Sequence, residues 1–117
     1  MEKAEELRQR SKQFALRVIR IFKFLPRTEE AKILGRQILR AGTSTAANYR
    51  AACRARSKAE FVSKMGIVVE EIDETVFWLE LLVESEIVEY RNIKELLKEA
   101  NELLAIFASS RKTARSR

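Results

Sequence analysis

The chain has 117 residues, 46% of them hydrophobic, with 23 Lys+Arg against 17 Asp+Glu for a formal net charge of +6. That length and apolar content fit one globular domain rather than a disordered tail. The absence of histidine, a single cysteine (Cys53) and a single proline (Pro26) exclude histidine-based catalytic and metal sites and an internal disulfide framework.

Four segments carry the alternating 3/4 apolar spacing of bundle-forming helices. The first runs from about Glu2 to Phe24, with Leu7, Phe14, Val18, Ile21 and Leu25 on one face and Ser11 at the missing step. Pro26 ends it, because the residue before a proline is disfavoured in the helical region. Thr28 is the expected N-cap of the second helix, with Glu29 and Glu30 in a first turn that favours carboxylates. That helix repeats Ala31, Leu34, Ile38, Ala41, Thr45 and Ala52, with Tyr49 at the edge of the face. Gly35 and Gly42 each cost ~1 kcal/mol relative to alanine inside a helix, so a close helix–helix contact is expected there.

Ser57-Lys58-Ala59-Glu60 reads as a capping box. It opens a third helix with the stripe Phe61, Met65, Val68, Ile72, Thr75, Leu79 and Leu82. Polar residues from Glu84 to Asn92 form the third turn, and Asn92 is the expected cap of a fourth helix with Ile93, Leu97, Ala100, Leu104 and Phe107 inward. Four helices with short connections predict an all-α, antiparallel up-down-up-down four-helix bundle over residues 1–110. Residues 111–117, RKTARSR, lack an apolar anchor and are expected to be a flexible basic tail.

Resolved by segment, the charge separates. Residues 1–56 carry +9, residues 57–108 carry −7, and the tail adds +4. On helix two, Lys32, Arg36, Arg50 and Arg54 form a row opposite the apolar face, with Arg40 beside it and the small Thr43 and Ala47 in its middle. Helix one spreads Arg8, Arg10, Lys12, Arg17, Arg20 and Lys23 around its polar arc. A phosphate-binding surface and an ordinary solvated or charge-matching face both account for these rows. The nucleic-acid reading assigns Arg10, Arg17, Arg20, Lys32, Arg36, Arg40, Arg50, Arg54, Arg111 and Lys112. No aromatic residue interleaves the row on helix two, so base stacking is not expected along it.

Helix three is opposite in character, with Glu70, Asp73, Glu74, Glu80 and Glu84 pointing away from its core stripe. An exposed acidic face is the simpler account of them than a carboxylate metal site. Phe77 and Leu81 fall among these acids, with Trp78 at the edge and Val62, Val69, Val76 and Val83 widening the apolar arc. A helix with apolar residues on two sides has two partners, so Phe77, Trp78 and Leu81 are assigned to a subunit interface. Cys53 reads as a small buried hydrophobe, and Asn48 as a helix-to-helix hydrogen bonder.

No phosphate-binding loop or catalytic constellation is present, so neither an enzyme nor a cofactor or metal is expected. No apolar run reaches the ~18–20 residues a bilayer span needs, and MEKAEELRQR is too polar for a secretory signal. The expectation is a cytoplasmic protein with no membrane partner.

Residues 40–61, RAGTSTAANYRAACRARSKAEF, and 67–82, IVVEEIDETVFWLELL, resemble the bacterial four-helix-bundle proteins encoded in intervening sequences of 23S ribosomal RNA genes. The resemblance continues through ELLAIFASSRKT at 102–113 and rests most on Asp73-Glu74-Thr75 followed by Trp78-Leu79-Glu80-Leu81-Leu82. Thr45 and Ala46 stand where the family has Val-Gly, and Ala51 where it has Glu. The resemblance implies a homopentamer and kinship with the accessory variability proteins of diversity-generating retroelements, basic bundles that bind RNA or DNA and partner a reverse transcriptase. Two functions follow for testing: a non-catalytic oligomer that associates with nucleic acid through helices one and two, or a protein-interaction scaffold whose charged faces serve assembly.

Overall fold

In the computed structural model, which describes residues 2–117 and their side chains from residue 3 onward, four helices follow one another along the chain. They are α1 (Glu2–Phe24), α2 (Glu29–Cys53), α3 (Lys58–Glu84) and α4 (Tyr90–Ser116). Connections of four to five residues reverse the chain each time, giving the expected antiparallel up-down-up-down bundle, 46 × 22 × 20 Å. The α2–α3 interface is the most extensive, α3–α4 and α1–α2 follow, and the α1–α4 seam is sparse. No helix among the described residues is long and apolar enough to cross a membrane.

Local chemistry sets the helix ends. The Thr28 hydroxyl accepts from the Ala31 amide at 3.3 Å, and the Ser57 hydroxyl accepts from the Glu60 amide at 3.1 Å. Each satisfies one of the donors a helix start leaves open. At the end of α3, Glu86 adopts φ 62° while its amide bonds Val83 and the Ile87 amide bonds Leu82. This is a Schellman closure with glutamate where glycine is usual, and Ile87 and Val88 then fold back against the core.

Four expectations need correction. The fourth helix starts at Tyr90 after an N-cap at Glu89, not at Asn92, and that cap makes no side-chain hydrogen bond. Its buried series is Ile93, Leu96, Ala100, Leu103 and Phe107, with Leu97 and Leu104 only half-buried on the flank. Tyr49 is not at an edge: it is 3% exposed and stacks on Phe107 at 4.8 Å and 33°. Helix α4 also continues past Ser110 to Ser116. Arg111 anchors this extension by lying over Gly66 and donating to the Val62 carbonyl at 3.2 Å, and Lys58 donates to the Arg117 carbonyl.

The two glycines of α2 mark its approach to α1. A Cβ at Gly42 would stand 2.9 and 3.0 Å from the two methyls of Val18, and one at Gly35 would stand 2.8 Å from a Leu25 methyl. Val18 is fully buried and β-branched, so it has no free rotamer into which to retreat. Gly42→Ala is therefore expected to destabilise by about 1–2 kcal/mol, overpacking outweighing the ~1 kcal/mol gain in helix propensity. Gly35→Ala, facing a movable Leu25 methyl and the edge of the Phe22 ring at 3.1 and 3.2 Å, is expected to cost less than Gly42→Ala. Paired urea melts of the two variants check this difference.

Candidate functional site

From Leu7 to Thr28 the chain carries seven cations and no carboxylate, and from Ala31 to Ala59 another seven and again none. Because α1 and α2 are antiparallel neighbours, this places a carboxylate-poor hairpin on one side of the bundle, interrupted only by Glu29 and Glu30 at its turn. The arginines within it have different fates.

Two of the assigned arginines cross-link helices. The Arg10 guanidinium straddles Glu99 at 2.6 and 3.1 Å and reaches Glu102 at 3.2 Å, tying α1 to α4. These hydrogen bonds, Glu99 first, raise the Arg10 pKa against the opposing cost of burial. Arg40 leaves the basic row and spans to α3, binding Glu71 at 3.0 Å and also Glu74. Arg111 is spent on the Val62 carbonyl. The charges of Arg10 and Arg40 are thus matched internally, whereas Arg111 is tied to the fold by a neutral carbonyl.

A different set converges. The register that seats Val18 against Gly42 and Leu25 against Gly35, extended along α1, brings Lys12 level with Asn48 and Arg8 level with Ala52. There Arg8, Gln9, Lys12, Ala46, Ala47, Arg50 and Arg54 line an open groove of about 670 Å³. Ala46 and Ala47 make its floor shallow, and the four cations rise on both sides. Arg8 is engaged locally with Glu5 one turn before it, which lowers the Glu5 pKa. Lys12, Arg50 and Arg54 enter none of the ion pairs found among the described residues. Burial above all, with the nearby Cys53 thiol adding to it, pushes the Tyr49 hydroxyl far up, so it stays neutral.

The remaining assigned cations do not join this cluster. Lys32 and Arg36 are exposed on the same face of α2, but 14 residues or more before Arg50, roughly 21 Å along the helix. Arg20 is exposed and Arg17 half-buried on α1, and Lys112 is exposed on α4. Arg8 and Lys12 were visible in the sequence only as members of an arc. The α1–α2 register, which the two glycines announce, is the signal that places them opposite Arg50 and Arg54.

On α3, Phe77 is 50% exposed and meets Trp78 edge-on at 5.0 Å. The Trp78 indole donates to Glu74 at 3.1 Å, so its polar end is already satisfied, and Leu81 is half-buried. Asn48 bonds within its own helix, donating to the Ser44 carbonyl at 2.8 Å and hydroxyl at 2.9 Å, rather than across helices. Cys53 is a free, half-buried thiol packed against the core. Among the described residues, no group of three His, Cys, Asp or Glu side chains could hold a metal ion.

The family model described as 23S rRNA-intervening sequence protein matches residues 3–109. Among solved structures, the chain is similar to a protein of unknown function from the S23 ribosomal protein family of Bacteroides thetaiotaomicron. The two are 34% identical with a TM-score of 0.87, over 94% of this chain and 98% of that one. No curated protein matches the chain.

Proposed function

Because the chain belongs to the family of 23S rRNA-intervening sequence proteins, we propose that it is a non-catalytic bundle that associates with RNA through the groove between α1 and α2. The observation that carries this reading is the groove itself: four cations from two helices around an alanine floor, three of them free of any carboxylate among the described residues. Phosphates supply the charge these side chains lack, and the shallow floor lets a backbone strand approach. Lys32 and Arg36 extend the track along α2. Arg10, Arg40 and Arg111 contribute to the architecture rather than to phosphate binding.

Assembly accompanies this role. Phe77, with Trp78 and Leu81, offers an apolar contact to a second copy of α3, and such a contact would serve the homopentamer that the family resemblance implies. The competing scaffold reading makes the charged faces serve assembly instead. One salt series separates the two. Titrating a labelled 23S rRNA fragment should give an affinity that falls with log salt at a slope of about −2 to −4, as expected for a few phosphate contacts. Light scattering over the same series should give a constant mass. A mass that falls with salt while RNA fails to bind at low ionic strength would establish the scaffold in place of the RNA reading.

A further inference from the structure

The most exposed large hydrophobic side chain among the described residues is Phe24, at 86%. It lies in the last turn of α1, where its neighbours behave differently. Phe22 and Leu25 both turn inward onto Gly35, and Pro26 then takes the chain away toward α2. The ring is left standing at the tip of the hairpin with no apolar partner. It is set among cations: Arg20 is one helical turn back on the same face, Lys23 is adjacent, and Arg27 follows in the turn. None of the three enters an ion pair among the described residues. The nearby carboxylates, Glu29 and Glu30, open α2, and Glu30 is held below its usual range by its own backbone amide and Thr28.

We infer that Phe24 is a stacking platform for an unpaired nucleotide of the bound RNA, with Arg20, Lys23 and Arg27 holding the flanking phosphates. This rests on the RNA reading above and adds single-stranded character to its ligand. An apolar aromatic face ringed by cations matches a ligand that offers a flat base between negative charges. An anionic lipid surface shares the charge but needs a broader apolar face to enter, and here Phe22 and Leu25 are turned inward. Phe24 lies 12 residues beyond Lys12 on α1, roughly 18 Å from the groove. One RNA can therefore engage both, paired over the groove and unpaired at the tip.

The test uses a fluorescein-labelled RNA hairpin made with and without a single-stranded extension. Phe24→Ala should weaken binding of the extended hairpin about tenfold, leave the blunt hairpin unchanged and keep the salt slope, since no charge is lost. Phe24→Trp should retain wild-type affinity. Equal losses on both RNAs, or no loss on either, would overturn the inference while leaving the groove reading intact. A fall in melting temperature or a changed oligomeric mass for Phe24→Ala would also overturn it, in favour of a packing or subunit contact. So would loss of binding to phosphatidylserine vesicles without loss of RNA binding. Wild-type protein that binds neither hairpin at low salt would remove the groove reading as well.

Discussion

Replacing both Arg50 and Arg54 by glutamate is expected to lower RNA affinity about a hundredfold at 0.1 M salt and to flatten the salt slope by about two units. The two side chains form one wall of the groove, opposite Arg8 and Lys12, so their reversal removes two phosphate contacts and adds two repulsions where a strand would lie. The fold should tolerate the change. Both residues are exposed at the end of α2, where opposing the helix dipole costs about 1 kcal/mol or less per residue. Arg40→Gln is the matched comparison. Its guanidinium is committed to Glu71 and Glu74, so RNA affinity should stay within about twofold and stability should fall by less than about 1 kcal/mol. Fluorescence anisotropy on the three proteins, with circular dichroism melts beside it, reads both effects. Equal loss of affinity for Arg40→Gln and the double variant would mean that bulk charge, not the groove, binds RNA.

The largest expected effect on stability comes from the opposite side of α2. Phe107→Ala should destabilise the bundle by about 3–5 kcal/mol and lower Tm by about 12–20 °C. Phe107 is fully buried and stacks on Tyr49, which joins α4 to α2 across the diagonal. No Cα atoms of these two helices approach within 8 Å, so the aromatic pair fills space that no backbone contact closes. Truncation leaves a cavity against a ring that is itself buried, with little room to move into it. Thermal and urea unfolding measure it directly. A loss below about 1.5 kcal/mol would mean that the core relaxes around the gap and that the diagonal contact is incidental.

Much of the fold was readable because caps, proline and heptad stripes all pointed the same way. Thr28, Ser57 and Pro26 delimit α1 to α3 as the sequence implies, and every residue of the α3 stripe except the half-buried Phe61 is buried. Helix four was ambiguous for a physical reason. Its leucine pairs, Leu96-Leu97 and Leu103-Leu104, allow two heptad phases through Ile93, Ala100 and Phe107. Which is central depends on which flank has a neighbour. That is a property of the assembled bundle and not of the period. Tyr49 was misplaced similarly, since a tyrosine at the margin of a stripe is buried only if a partner such as Phe107 covers it.

The candidate site was legible as charge but not as geometry. Arg10 and Arg40 resemble Arg50 and Arg54 in sequence, and only their partners, 89 and 31 residues away, distinguish structural cations from available ones. Phe24 carried no signal at all, because one or two steps along a helix separate an inward Leu25 or an inward ring such as Phe22 from an exposed one.

The sparse α1–α4 seam has a consequence for ligand linkage. Helix α1 is held firmly on one flank, by α2, and on the other chiefly by Arg10 with Glu99 and Glu102. Helix α1 therefore depends mainly on its α2 interface, while α3 keeps extensive interfaces with both α2 and α4. A polyanion seated between Arg8 and Lys12 on α1 and Arg50 and Arg54 on α2 would reinforce the one extensive interface that holds α1. Its binding free energy would then appear as slowed amide exchange along α1 before any rise in global stability, so occupancy and the order of the first helix would be one thermodynamic quantity.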